Sequence, residues 1–291
     1  MKVNSPEISI IIPAKNGAPR IDRVLRAIFA QKTSFTYEVI VVDSGSEDET
    51  LQLVQRHPVR LYQISPEDFS HSKTRNYGAQ LSQASRYIVF INQDAVPCGE
   101  LWMEKLVESI EFEPGIKAMC ATELIESKTY YSISGVAFCV FRNANTRGVH
   151  VIAPHILEKL PDLPKWQRRE LFPFTTVCAI FDRGHFMDHP FDENVPWAED
   201  LHWAVRNSRE GYASGCTSLA CVYHHHIYKL SERLAIRART IRICKELFGS
   251  SIVDPHMHSI LNAVINWNIT LPLRRAYSFI MHLCTRNRNV Q

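Results

Sequence analysis

The sequence of 291 residues predicts an α/β fold in which a mostly parallel central sheet is flanked by helices. In residues 1–115, short β-branched runs alternate with amphipathic helical stretches, which is typical of a parallel sheet with helices on both faces. Two of the apolar runs end abruptly in polar side chains, at Asp43 and at Asn92-Gln93-Asp94. Since ligands of open α/β sheets bind outside the carboxyl ends of the strands, this edge is where we expect a site.

The elements of the first half follow from hydrophobic periodicity. Apolar runs bounded by turn residues predict four strands, at Ile8–Pro13, Tyr37–Val42, Val59–Ile64 and Tyr87–Ile91. Apolar residues at helical spacing predict helices over 21–29, from Ser46 to Arg56, over Ser72–Ala84 and over Glu100–Phe112. Ser46 followed by Glu49 forms a capping box, which predicts the start of the second helix.

The second half is less regular. We predict strands at Ser134–Phe141, Val177–Phe181 and Leu219–Tyr223. We predict a helix over Trp197–Glu210, closed by Gly211, and a helical C-terminal extension from Leu230 onward. Residues 142–172 carry prolines and charges without periodicity, which indicates an irregular loop or lid.

Composition and missing motifs exclude several classes of protein. No GxGxxG follows a strand and no GxxxxGK[ST] occurs, which argues against dinucleotide and P-loop sites. The sequence has neither a signal-peptide pattern nor an apolar run long enough to span a membrane. Its eight cysteines include no CxxC pair and indicate reduced thiols, so we expect a cytoplasmic protein.

Asp43 and Asp94 are the first candidates for chemistry, because both follow apolar strands and a parallel sheet would bring both to one crevice. Asp94 can ligate Mg²⁺ or Mn²⁺, which prefer oxygen ligands and often share them with substrate phosphates. The alternative for each acid is a local role, as a helix cap at Asp43 or within a turn at Asp94.

Glu199-Asp200 lies just inside a predicted helix start, flanked by Trp197 and Trp203. Aromatic rings beside a carboxylate can desolvate it and raise its pKa, as a general base requires. The alternative is that these acids only complement the helix dipole.

Two basic or imidazole motifs complete the candidate set. In His224-His225-His226, the first and third side chains would share a face of an extended segment and could ligate a metal, unless the motif is only a polar strand end. Lys73 and Arg75 lie near a predicted helix start, where phosphates bind, although a solvated helix face explains the same charges.

Together and in this order, these segments resemble family 2 glycosyltransferases of the GT-A fold. The resemblance covers residues 7–228 through ISIIIPAKNG, VIVVDSGSEDET, HSKTRNYGA, VFINQDAVP, WAEDLHWAVR and VYHHH. FSHSKTRN, NQDA and PFDE are most similar to the bacterial rhamnosyltransferase branch. The resemblance implies a domain at 1–228, with a nucleotide-binding half at 1–115 and an acceptor half at 116–228, followed by a basic helical segment at 229–291.

The resemblance also implies roles for individual residues. The nucleotide-binding set is Pro13, Asn16, Asp43, Lys73, Arg75, Asn92 and Gln93. Asp94 would hold Mg²⁺ or Mn²⁺ together with His226, for which His224 is the competing choice, while Asn92 departs from the family's usual Asp. Asp200 would be the catalytic base with Glu199 as its neighbour, and Trp197 and Trp203 would lie on the acceptor side.

The implied activity is an inverting, metal-dependent transfer of a sugar, expected to be rhamnose from dTDP-rhamnose, onto a glycan or lipid-linked glycan of a surface polysaccharide. A UDP-hexose or UDP-N-acetylhexosamine donor is the alternative within this class. The alternatives from other classes are a non-catalytic sugar-nucleotide or glycan-binding protein and, more remotely, a zinc protein. Nucleic acid is not an expected partner.

The carboxyl-terminal segment has a charge of its own. Residues 229–291 hold ten Lys/Arg and three Asp/Glu, while the whole chain has a net charge of +3. Arg233–Arg242 and Leu271–Leu283 combine basic and apolar residues, so they predict contact with an anionic membrane surface and a peripheral location on the inner face of the cytoplasmic membrane. A solvated helix pair or an oligomer interface is the alternative.

Overall fold

A computed structural model describes residues 5–125, 132–133, 148–156, 158, 174–224 and 230–248. Within these ranges the strands are β1 Ile8–Ala14, β2 Tyr37–Asp43, β3 Arg60–Gln63, β4 Tyr87–Ile91, β5 Val96–Pro97, β6 Ile116–Ile125, β7 Ser132–Ile133, β8 Val149–Ile152, β9 Cys178–Asp182 and β10 Ala213–Tyr223. The α-helices are α1 Arg20–Phe29, α2 Thr50–Val54, α3 His71–Gln80, α4 Trp102–Ile110, α5 Arg183–Asp188, α6 Glu199–Arg209 and α7 Leu230–Phe248.

The ten strands form one sheet, whose main path runs β3-β2-β1-β4-β9-β6-β10-β5. The neighbouring pairs among β1 to β4 are parallel, and so is the pair of β6 and β10. Strand β9, which lies between β4 and β6, is antiparallel to both of them, and β5 at the end of the path is antiparallel to β10. Because two antiparallel steps restore the original direction, six strands end at the same edge of the sheet, namely β1, β2, β3, β4, β6 and β10.

Two apolar layers cover the two faces of this sheet. Alternate residues of each strand point to opposite faces, so that Ile10 packs beneath α1 and α4, whereas Ile11 packs towards α3 and α6. The second layer contains an aromatic cluster in which Phe90, Phe181 and Trp203 are at most 2% exposed. The predicted mostly parallel sheet with flanking helices is therefore confirmed.

The structure corrects several boundaries. The predicted capping box does not start α2, because the Ser46 hydroxyl binds Asp43 instead and the helix begins at Thr50. The last strand begins at Ala213, six residues before its predicted start. Part of the predicted loop over 142–172 is regular, since β8 pairs antiparallel with β10.

Other sequence predictions fall partly outside the described residues. The strand predicted over Ser134–Phe141 and the segment Leu271–Leu283 both lie there, as does His226. Of the helical extension predicted from Leu230 onward, the described residues contain α7, Leu230–Phe248, and the rest lies outside them. Among the described residues, no helix combines the length and the apolar character that crossing a membrane requires.

Candidate active site

A buried ion pair joins three elements at the carboxyl edge of the sheet. Arg75 of α3 donates from Nη1 to Glu199 Oε1 at 2.6 Å and from Nη2 to Asn92 Oδ1 at 3.0 Å. The side chains of Arg75 and Glu199 are only 4% and 6% exposed. The pair therefore fixes the start of α6 against α3 and against the residue that follows β4.

The sharp entry into α6 places two acids in its first turn. The residue before the helix, Ala198, has a left-handed backbone with φ 60° and ψ 39°, which is uncommon for a residue with a Cβ. Glu199 forms the ion pair with Arg75. Asp200 instead accepts hydrogen bonds from the backbone N–H groups of Thr176 at 3.0 Å and Leu201 at 2.7 Å. Within the described part of the chain, Asp200 is thus the acid of the two that forms no ion pair.

The surroundings of Asp200 raise its pKa. Although the residue is partly exposed, burial of its carboxylate raises its pKa to about 6, and the negative charge of Glu199 acts in the same direction. The N–H groups of Thr176 and Leu201, and the charge of Arg75, oppose this rise in the pKa. A carboxylate with a pKa near 6 is ionised at neutral pH and is still basic enough to accept a proton.

A second charged group forms around Asp94, which follows β4. Asp94 Oδ1 lies 3.5 Å from His224 Nε2, and its Oδ2 lies 3.5 Å from Arg20 Nη1. The other ring nitrogen of His224, Nδ1, lies 2.9 Å from Glu123 Oε2. Burial alone lowers the pKa of His224, but the hydrogen bond and charge of Glu123 and the charge of Asp94 raise it overall.

This donor set fits a divalent cation that takes only part of its coordination from the protein. Asp94 Oδ1 and His224 Nε2 lie 3.5 Å apart, a separation that two ligands of the same ion can have. Within the described ranges, no three His, Cys, Asp or Glu side chains form a cluster that could hold a metal. Diphosphate oxygens and water would have to supply the remaining ligands.

The predicted nucleotide side is built from two loops held together by hydrogen bonds. Asp43 is fully buried, and its carboxylate accepts from the N–H groups of Gly45 and Ser46 at 3.0 Å and from the Ser46 hydroxyl. Ser46 Oγ in turn accepts from the backbone N–H of Asn16 at 2.8 Å, and Asn16 Oδ1 accepts from the N–H of Glu47 at 2.9 Å. Both Asp43 and Asn16 therefore shape the β1–α1 and β2–α2 loops.

Gln93 ties the first of these loops to the end of β4. Its amide accepts from the N–H of Lys15 and donates to the carbonyl of Lys15, both at 2.9 Å. A Cβ at position 17 would lie 2.3 Å from Gln93 Oε1, so Gly17 is needed for this close approach. Pro13 lies one residue before the end of β1, beside Val42 of β2.

Two predicted site residues do not join the others. Lys73 lies on the opposite side of α3 from Arg75 and lines a separate hollow of about 280 Å³. Trp203 is 2% exposed, packs on Phe181 and donates its indole N–H to the carbonyl of His189 at 2.6 Å, so it is a core residue rather than part of an acceptor surface. Trp197 is partly buried and lies two residues before Glu199.

Sequence reasoning missed three residues of the site. Glu123 had a detectable signal, because an acid interrupts the apolar run of β6. Arg20 and Thr176 had none, since their contacts with Asp94 and Asp200 depend on chain segments 74 and 24 residues away.

Comparisons with known proteins find a matching family model and curated relatives of this chain. Residues 9–186 match the family model described as "Glycosyl transferase family 2". The O-antigen chain rhamnosyltransferase RfbN of Salmonella typhimurium is 28% identical over 229 residues, which cover 76% of this chain and 67% of that protein. The O-antigen chain rhamnosyltransferase WbaN of Salmonella anatum is 24% identical over 225 residues, which cover 77% and 67%.

The fold likewise resembles solved structures of GT-A glycosyltransferases. Glucosyl-3-phosphoglycerate synthase from Mycobacterium tuberculosis, in complex with Mn²⁺, uridine diphosphate and phosphoglyceric acid, aligns with a TM-score of 0.59 and 20% identity. The alignment covers 86% of this chain and 80% of that one.

We expect the loss of one partner of the buried ion pair to destabilise the protein strongly, because the other charge stays buried, whereas replacing both partners by leucine leaves no unpaired charge. Arg75→Leu or Glu199→Leu alone leaves one buried charge without its partner and should lower the free energy of unfolding by about 3–5 kcal/mol. The double variant should lose less than the sum of the two single variants, as measured by denaturant unfolding. Glu108→Gln is the matched control, because Glu108 pairs with Lys105 on the surface and should change stability by less than about 1 kcal/mol. Additive losses would contradict this coupling.

Proposed function

This chain belongs to glycosyl transferase family 2, and on that premise we propose that it transfers a sugar from a nucleoside diphosphate to a glycan acceptor with inversion at the anomeric carbon. The observation that carries the proposal is the division of labour within Glu199-Asp200. Arg75 neutralises Glu199, while Asp200 keeps its carboxylate for an incoming hydroxyl group and has a pKa of about 6. A protein that only binds sugars has no need of a base in this state.

The mechanism that we propose is a single displacement. Asp200 accepts the proton of the acceptor hydroxyl as its oxygen attacks the sugar from the face opposite the leaving diphosphate, so no covalent enzyme intermediate is required. Arg75 and Thr176 hold Asp200 and its neighbour in place through the contacts described above. A divalent cation held by Asp94 and His224 would stabilise the negative charge that grows on the departing diphosphate. Arg20 adds a positive charge at the same edge.

For the donor, we propose dTDP-rhamnose. The support is the name of the two relatives at 28% and 24% identity, both O-antigen chain rhamnosyltransferases. A UDP-hexose or UDP-N-acetylhexosamine donor is the alternative, since the solved neighbours include complexes with UDP and UDP-GlcNAc. Hydrolysis measured across a panel of nucleotide sugars separates the two.

For the acceptor, we propose a lipid-linked glycan or lipopolysaccharide reached at an anionic membrane surface. Helix α7 exposes Arg239, Arg242 and Lys245, and Leu234 on the same helix is 57% exposed. Basic and apolar side chains together favour binding to anionic lipid headgroups.

Asp200→Asn should abolish transfer and leave nucleotide affinity nearly unchanged, because the substitution removes the base without touching the predicted nucleotide loops. In the wild-type enzyme, kcat/KM should fall about tenfold per pH unit below pH 6, since only ionised Asp200 accepts a proton. Loss of nucleotide binding in Asp200→Asn, measured by calorimetry, would contradict the assignment of the base.

The same pH profile should respond to Glu199→Gln. This substitution removes the negative charge that helps to raise the pKa of Asp200, so the acidic limb should move to lower pH. Among the described residues, the histidines whose pKa is affected by the charge of Asp200 are His71 and His202. His71→Gln and His202→Gln are the controls, and an acidic limb that disappears in either of them belongs to that histidine and not to Asp200.

Chelation should stop turnover, and Mg²⁺ or Mn²⁺ should restore it. The physical reason is that Asp94 Oδ1 and His224 Nε2 lie 3.5 Å apart, a separation that two ligands of one ion can have. Product formation is measured in EDTA before and after each metal is added back. Full activity in EDTA would remove the cation from the proposed mechanism.

Membrane contact should depend on charge and on salt. The purified chain should sediment with vesicles that contain phosphatidylglycerol at low ionic strength and should be released at high ionic strength. Arg239→Glu with Arg242→Glu should weaken this binding without changing hydrolysis of the donor. Equal binding to neutral vesicles, or none to anionic ones, would exclude the proposed surface.

A further inference from the structure

We infer that Glu123 is a positioning residue, which holds the imidazole of His224 so that Nε2 faces Asp94 and a bound cation. The inference deepens the proposed function and rests on the part of it that assigns Asp94 and His224 to a divalent cation. Glu123 itself does not contact the nucleotide or the acceptor in this assignment. Its effect passes entirely through the ring of His224.

The backbone of β10 first brings His224 within reach of Glu123. Strand β10 runs parallel to β6, but its register shifts between Thr217 and Cys221, which pair with the consecutive residues Ala121 and Thr122. The bulge contains three extra residues of β10, so His224 lies opposite Ile125 in the register. The backbone N–H of His224 donates to the carbonyl of Leu124 at 2.9 Å. Bulges of this kind re-aim side chains beside active sites.

The side chains then fix the orientation of the ring. Glu123 pairs in register with Val222, so the alternation of strand residues places Glu123 and His224 on the same face of the sheet. Glu123 Oε2 lies 2.9 Å from His224 Nδ1, whereas Nε2 on the far side of the ring lies 3.5 Å from Asp94 Oδ1. A carboxylate oxygen accepts hydrogen bonds, so this contact favours the tautomer of His224 that carries its proton on Nδ1, and Nε2 is then the nitrogen that can ligate.

Burial makes this orientation effective. The side chains of Glu123, His224 and Asp94 are 13%, 9% and 12% exposed, so water competes little for the Nδ1–H group. A histidine that ligates a metal usually donates its other N–H to a carboxylate or carbonyl, which fixes the tautomer and raises the basicity of the ligating nitrogen. The contact between Glu123 and His224 has this form, and it favours His224 over His226 as the ligand.

The test is the affinity of the full-length protein for Mn²⁺, measured by electron paramagnetic resonance of unbound Mn²⁺ with saturating dTDP or UDP. Glu123→Gln should weaken Mn²⁺ binding about 10–100-fold. Glu123→Asp keeps the charge and should lose less. His224→Ala should weaken binding at least as much as Glu123→Gln and should abolish the nitrogen coupling to Mn²⁺ in spin-echo spectra. Glu108→Gln, an acid of an exposed surface ion pair, is the matched control and should bind like the wild type.

The outcomes separate this inference from the proposed function. If His224→Ala loses Mn²⁺ affinity while both Glu123 variants bind like the wild type, the role of Glu123 is refuted and the metal site remains. If the wild type binds no Mn²⁺ with either nucleotide, the metal site and the inference both fail. Thermal unfolding in EDTA checks that each variant is folded, and a Glu123→Gln protein that unfolds early is replaced by Glu123→Asp, whose smaller loss of affinity then decides.

Discussion

The ion pair between Arg75 and Glu199 is the constraint on which the rest of the site depends. Both side chains are almost fully removed from water, so their attraction is offset by a large desolvation cost and adds little net stability. What the pair supplies is geometry, because each charge is stable only where the other one lies. Helix α3, the end of β4 and the start of α6 are thereby held in one arrangement, and Asp200 is placed as a consequence.

The direction of the strands supplies the second constraint. Six strands end at one edge of the sheet, and this edge collects Asp43, Asp94 and His224 from distant parts of the chain. Strand β9 runs the other way and contributes instead through Thr176, two residues before its start, whose N–H donates to Asp200. The site thus combines residues that follow the carboxyl ends of the parallel strands with a residue that precedes the antiparallel strand β9, and all of them lie at the same edge of the sheet.

Charge is distributed within the site in two groups with different chemistry. Around Asp200, burial and the charge of Glu199 favour a carboxylate that accepts protons. Around Asp94, the guanidinium of Arg20 and the imidazole of His224 each lie 3.5 Å from a carboxylate oxygen, and we propose that this group binds a divalent cation. Asp200, in the first turn of α6, and Asp94, after β4, thus have different charged neighbours, and we propose different roles for them on that ground.

The sequence by itself determined β1 to β4, β9, the end of β10, most of the helices and the position of the acids at strand ends, because local periodicity and turn residues depend on neighbours in the chain. It did not indicate β5, β6, β7 or β8. The sequence also indicated candidate acids and imidazoles for a site, but not which side chains each of them contacts. Only the tertiary structure decided that Glu199 is taken up by Arg75, 124 residues away, and that Glu123 holds His224 across 101 residues. It likewise placed Trp203 in the core and Lys73 on the far side of α3, since burial and contact between distant segments follow from packing, which no local pattern encodes.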